Sequence, residues 1–144
     1  MKEYSHEVII NKPITEVTQL FTQPEHFTEW QPNLEEYEVF EGEPCCTESK
    51  ARVRMDFDKG DDMKMVETVE ENNLPETYNV RYDSDGIHIY QYNQFKDAGD
   101  GKTIYRVTQK YNTDGLMKLI KLFKPNYFEK QSQRFVDSFK EYAE

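Results

Sequence analysis

Residues 50–66, KARVRMDFDKGDDMKMV, change polarity one residue at a time, with Val53, Met55 and Phe57 on one side and Arg52, Arg54, Asp56 and Asp58 on the other. A period of two marks a strand with one face in a core and the other in water. Lys59-Gly60-Asp61-Asp62 is turn chemistry, so the stretch reads as a β-hairpin. Pairing Phe57 with Met63 sets Met55 beside Met65. It also puts Asp56 against Lys64 and Lys50 against Glu70 on the outer face, opposite-charge pairs that favour this register.

The same period runs on toward the C-terminus. After a loop at Asn72-Asn73-Leu74-Pro75, Tyr78, Val80 and Tyr82 share a face, and Asp83-Ser84-Asp85-Gly86 turns the chain again. For residues 87–95 the turn length decides the facing. Two or four turn residues put Ile87, Ile89 and Gln91 inside, and three with a bulge at Gly86 put Tyr90 and Tyr92 inside. The Ile face is the reading adopted. Beyond Asp97-Ala98-Gly99-Asp100-Gly101, Tyr105, Val107, Gln109 and Tyr111 alternate once more, giving six consecutive antiparallel strands between Leu34 and Asn112.

Toward the N-terminus, residues 4–10 (YSHEVII) form a further strand, and Pro13 stands where a helix begins. Ile14, Val17 and Phe21 recur at spacings of three and four, so one face of that short helix packs inward. Pro24 starts a second short helical turn ending near Trp30, and Pro32 stops it. At the other end, Leu116, Ile120, Phe123, Tyr127, Phe135, Phe139 and Tyr142 trace one long amphipathic helix, with a kink or break expected near Phe123 because Pro125 interrupts it. The order strand, two short helices, six strands and long helix predicts an α+β fold. In it a seven-stranded antiparallel sheet wraps around the only helix long enough to cover its apolar face.

Composition fits one domain over residues 1–144. Leu, Ile, Val and Phe contribute only 31 of 144 residues, but ten Tyr, nine Phe and one Trp raise aromatics to 14%, and each ring buries a large area. No apolar run exceeds three residues, so neither a membrane helix nor a signal-peptide core is read, and a cytoplasmic setting is expected. Cys45 and Cys46 are adjacent and read as reduced loop thiols, with no spacing for zinc. The net charge of −10 argues against nucleic acid and anionic membranes as partners. It is uneven: the tail from Thr113 holds six basic and five acidic residues, so the acid belongs to the rest.

With these elements in place, VIINKPITEVTQLFTQPEHFTEWQPNLEEYEVFEGE (residues 8–43) resembles the opening of the SRPBCC superfamily, the START and birch-pollen-allergen-like helix-grip domains. There a strand leads into Pro-x-x-x-Val, a helical break and Trp-x-Pro. The ending FKPNYFEKQSQRFVDSFKEYAE (residues 123–144) resembles the closing helix of bacterial polyketide-cyclase-like members. Cys45-Cys46-Thr47-Glu48 departs from the pattern, since many members carry glycines there. The resemblance implies a cavity between sheet and long helix for a hydrophobic or amphipathic small molecule. It implies no particular reaction, because members include carriers, receptors, cyclases and chaperone cofactors.

On the predicted inner faces, the candidate ligand-binding residues are Val53, Met55, Met65, Glu67, Tyr78, Val80, Tyr82, Ile89, Gln91, Tyr105, Val107 and Gln109 from the strands. Leu116, Ile120, Phe123 and Tyr127 join them from the helix; Trp30 resembles the family's tryptophan near the cavity mouth, with packing against the helix the reading adopted. Glu67 shares its face with Met63, Met65 and Val69. Either it is a cavity carboxyl able to move protons or hold a ligand, or a bulge or a partner neutralises it. The tyrosines either orient a ligand or are core rings whose hydroxyls reach the rim. His6, His26 and His88 are scattered, and neither a metal site, a cofactor site nor a catalytic set is read. Three functions are weighed: a module binding a lipid-like or aromatic molecule, first; a polyketide cyclase or dehydratase using Glu67 or a cavity tyrosine; and an interaction protein presenting an acidic sheet to a basic partner.

Overall fold

Beginning at the N-terminus, strand β1 (Lys2–Ile10) leads through Pro13 into helix α1 (Ile14–Phe21), a 3-10 turn (Pro24–His26) and helix α2 (Phe27–Trp30). Strands β2 (Leu34–Glu41), β3 (Lys50–Asp56), β4 (Asp62–Asn73), β5 (Thr77–Ser84), β6 (Ile87–Gly99) and β7 (Lys102–Tyr111) follow, and helix α3 (Tyr127–Ala143) closes the chain. The structure is a computed structural model that describes residues 2–56, 62–84, 86–112 and 127–144. Leu116, Ile120, Phe123 and the expected kink at Pro125 lie outside the described residues.

All seven strands form one antiparallel sheet in the order β1-β7-β6-β5-β4-β3-β2, wrapped around α3, with α1 and α2 between β1 and β2. Neighbours in sequence are neighbours in space except at β1, which returns to pair with β7. Helix α3 lies chiefly against β1, because Ser132 is fully buried there. Its small side chain lets the helix approach, and its hydroxyl meets His6 Nδ1 at 3.0 Å. The inner stripe of α3 is Phe128, Ser132, Phe135, Val136, Phe139 and Ala143. Phe128 is thus the deeper residue and Tyr127 only half-buried, one step around from the expected stripe.

The β3–β4 register differs from the expected one by two residues. Met55 pairs with Met63, Val53 with Met65 and Lys50 with Thr68, while Arg54 faces Lys64. Exposed ion pairs contribute about 0–1 kcal/mol and do not outweigh a backbone ladder. The ladder is fixed at its far end, where Glu48 N–H donates to Val69 O (2.7 Å) and Val69 N–H to Ser49 O (2.9 Å). Arg54 escapes Lys64 by reaching Asp62 (2.7 Å) and Glu36 on β2 (3.0 Å). The same register places Ala51 opposite Glu67, leaving room for the longer side chain.

The Cys45–Glu48 loop turns without a glycine. Cys45 (φ 63°) and Glu48 (φ 73°) both adopt the left-handed conformation, which costs a non-glycine residue roughly 1–2 kcal/mol. Hydrogen bonds offset that cost: Asn72 Nδ2 donates to Cys45 O (2.7 Å) and Asn72 N–H to Thr47 Oγ1 (3.0 Å). The cysteines are free, Cys45 buried and Cys46 exposed. In β6 the Ile face is inside: Ser84 pairs with Ile87, and Ile87, Ile89, Gln91, Asn93 and Phe95 are all buried.

Candidate functional site: the hollow between sheet and helix

One end of the interior is solid. Phe21 of α1 makes ring contacts with Trp30 (5.4 Å), Tyr78 (5.8 Å), Phe95 (5.1 Å), Tyr105 (5.5 Å) and Phe139 (5.0 Å), mostly edge to face, the arrangement ring quadrupoles favour. Trp30 sits within this cluster against Phe135 and Phe139 rather than at a mouth. Tyr105 is a core ring as well, its hydroxyl donating to Asn93 Oδ1 at 2.6 Å. Val53, Met65, Val80 and Val107 are buried in the core alongside.

Toward the other end a cavity of about 70 Å³ separates the sheet from α3. From the strands it is walled by Met55, Tyr82, Ile89, Gln91, Gln109 and Tyr111, and from α3 by Phe128, Gln131 and Phe135. The segment after α2, Gln31-Pro32-Asn33, closes it. Gln91 and Gln109 meet because they are direct partners across β6 and β7, with Ile89 and Tyr111 the next inward pair. Of the expected residues, Met55, Tyr82, Ile89, Gln91 and Gln109 therefore gather around the hollow. Tyr111, read as an inward tyrosine, joins them, whereas Gln31, Asn33 and Gln131 were not singled out. Gln131 carried a legible signal, being three residues after Phe128 and four before Phe135 on the same helical face. Gln31 and Asn33, in a short polar loop, carried none.

Glu67 points inward and is 5% exposed. The bulge that would have turned it outward exists in β4 but falls after it, between Val69 and Glu71. Burial pushes its carboxyl from 4.5 up to about 7, against a hydrogen bond from Tyr82, which favours the charged form. Tyr82 is its direct partner on β5. Tyr82 also lines the cavity whereas Glu67 does not, so the hydroxyl stands between carboxyl and hollow. Around the carboxyl, Tyr37, Tyr78 and Tyr82 are all held protonated by burial and by the nearby Glu67 charge. Burial raises the Cys45 thiol to about 11, which removes it as a nucleophile at neutral pH.

The arrangement can therefore hold a molecule by hydrogen bonds and apolar walls, and among the described residues Glu67 and Tyr82 form a pair along which a proton can move. Among the described residues no group of acidic, His and Cys side chains is placed to bind a metal. A larger concavity, about 640 Å³, lies on the outer face of β2–β5. Its walls mix Glu35, Glu36 and Glu38 with Arg52, Arg54 and Lys64 and include Tyr37, Val53, Met65 and Val66, and Arg54 is held there by Glu36 and Asp62. No helix among the described residues is long and apolar enough to cross a membrane.

A seven-stranded antiparallel sheet gripping a C-terminal helix across a small hollow defines a helix-grip protein of the SRPBCC superfamily, and solved structures share it along nearly the whole chain. TTHA0849 from Thermus thermophilus superposes with a TM-score of 0.78 at 15% identity, covering 99% of this chain and 97% of that one. The Zhui aromatase/cyclase from Streptomyces sp. R1128 gives 0.79 at 12% identity, covering 99% and 93%. Norcoclaurine synthase from Thalictrum flavum, solved with dopamine and hydroxybenzaldehyde, gives 0.69 at 11%, covering 98% and 85%. Within that fold, the chain belongs to the family described as polyketide cyclase / dehydrase and lipid transport, whose sequence profile matches residues 1–144. No curated protein matches it. Fold and family together suggest binding of a small molecule in a cavity between sheet and helix.

Proposed function

We propose that this protein binds a small amphipathic molecule, with an aromatic or lipid-like body, between β5–β7 and α3. The observation that carries this reading is the convergence of Gln91, Gln109, Gln131 and the Tyr82 and Tyr111 rings on one hollow walled by Ile89, Met55, Phe128 and Phe135. A few aimed polar groups in apolar walls are what small-molecule sites require. At about 70 Å³ the hollow is far smaller than the roughly 300–1,000 Å³ of formed ligand pockets, and holds about two waters. Binding therefore requires side chains to swing aside, which the unbranched Met55 and the glutamines can do.

Native mass spectrometry of protein purified from its source tests the proposal. A bound small molecule, depleted in a Gln109→Leu variant, is the expected result. Ligand-free protein that shows no interior NMR shifts against a library of aromatic and acyl compounds would refute it.

A second reading, proton transfer in a cyclase- or dehydratase-type reaction, draws on the Glu67–Tyr82 pair, since a carboxyl near 7 is suited to giving and taking protons at neutral pH. Turnover of a candidate polyketide that survives Glu67→Gln and Tyr82→Phe unchanged would eliminate it.

A further inference from the structure

Among the described residues, the internal hydrogen bonds leave three glutamine amides at the cavity with unpaired N–H donors. The Tyr78 carbonyl can only accept, so the Asn93 amide facing it at 2.9 Å presents Nδ2, and Oδ1 turns to the Tyr105 hydroxyl. Asn93 Nδ2 also faces Gln91 Oε1 in a long contact of 3.5 Å, which directs the Gln91 N–H groups elsewhere. Gln109 Oε1 accepts from the Tyr111 hydroxyl at 2.7 Å, and Gln131 Oε1 accepts from Asn33 Nδ2 at 2.6 Å. Each glutamine thus has its oxygen engaged by the protein, while among the described residues no acceptor takes its Nε2 hydrogens. All three line the hollow, and no charged side chain lines it with them among the described residues.

We infer that the ligand is uncharged and meets these amides with acceptor oxygens, as a ketone, ester or lactone carbonyl does. The inference rests on the binding reading above and narrows it. A carbonyl oxygen has two lone pairs and can accept from two amides at once. A carboxylate entering the same space loses its hydration with no cation to replace it. An ammonium group likewise loses its hydration with no carboxylate lining the space to replace it among the described residues.

The test uses ¹⁵N-labelled protein titrated near pH 7.5 with three probes of similar size: acetophenone, benzoate and benzylammonium. Acetophenone is expected to shift the side-chain NH₂ signals of Gln91, Gln109 and Gln131 and to bind at least about tenfold more tightly than either ion. Gln91→Met, similar in length and without the amide, is expected to weaken acetophenone about two- to tenfold through loss of one hydrogen bond. Benzoate or benzylammonium binding equally well at these amides would overturn the acceptor inference and leave the binding reading intact, and so would unchanged acetophenone affinity in Gln91→Met. Shifts confined to surface residues for all three probes would overturn both.

Discussion

Replacing Glu67 by Gln is expected to stabilise the protein above neutral pH and to leave it nearly unchanged in mild acid. The native carboxyl holds its proton up to about 7, whereas in the unfolded chain it releases near 4.5. A group whose native pKa is raised stabilises fully below the unfolded value, and that stabilisation is lost as pH rises toward the native one. At about 1.4 kcal/mol per pH unit, the interval from 4.5 to about 7 amounts to about 3 kcal/mol. Glutamine fills the same space and does not titrate. The difference in unfolding free energy between Glu67→Gln and the parent should therefore climb by about 3 kcal/mol between pH 4.5 and 7 and level off above it. Urea unfolding followed by the fluorescence of Trp30, the only tryptophan and a buried one, measures this at each pH. Groups such as Asp83 and Glu144, held below their usual range by Arg81 and by Lys140, titrate alike in both proteins and cancel. A difference that stays flat across that range refutes the reasoning, because it would mean that Glu67 is ionised and solvated in the native state.

Three further outcomes follow from the packing. Phe139→Ala, which removes a fully buried ring touching Phe21, Trp30 and Tyr105, should cost about 3–5 kcal/mol in denaturant unfolding; a loss under about 1 would mean that this end of the core is loose. Asn93→Leu leaves the Tyr105 hydroxyl without its partner, at about 1–3 kcal/mol, and takes the side-chain donor from the Tyr78 carbonyl, and adding Tyr105→Phe should recover part of the loss; a strictly additive double mutant contradicts the bond. With a thiol reagent at pH 8, Cys46 should react at once and Cys45 only as fast as the loop opens, since Cys45 is buried and burial raises its thiol to about 11; equal fast rates would refute its burial.

Much of the architecture was legible because one-residue alternation is a local property. Val53, Tyr78, Val80, Tyr82, Tyr105, Val107, Gln109 and Tyr111 are inward as their period predicts. The facing of β6 hung on a turn length, which the structure settles in favour of Ile87 and Ile89. The hairpin register was misjudged because outer-face charges were given weight that solvent denies them, while the ladder is anchored at Ser49 and Val69, far from the turn. The site was legible by halves. Its strand wall follows from alternation, but Gln31 and Asn33 arrive from a loop whose path no periodicity encodes. Trp30 packs against α3 within the ring cluster, the role read for it over the cavity-mouth position of the family resemblance.

By itself the sequence determined the order of elements, the inward face of each strand and the presence of Glu67 among apolar neighbours, all consequences of short-range periodicity. Tertiary structure alone decided how much space remained. Tyr and Phe rings that composition allowed to line a large pocket interlock around Phe21 and fill one end, so the hollow is about 70 Å³ and sits where glutamines meet. Tertiary structure likewise decided that the Glu67 carboxyl reaches the hollow only through the Tyr82 hydroxyl, since that depends on which residues oppose each other across β4 and β5. Volume and donor direction arise from contacts between residues distant in the chain, and no local pattern records them.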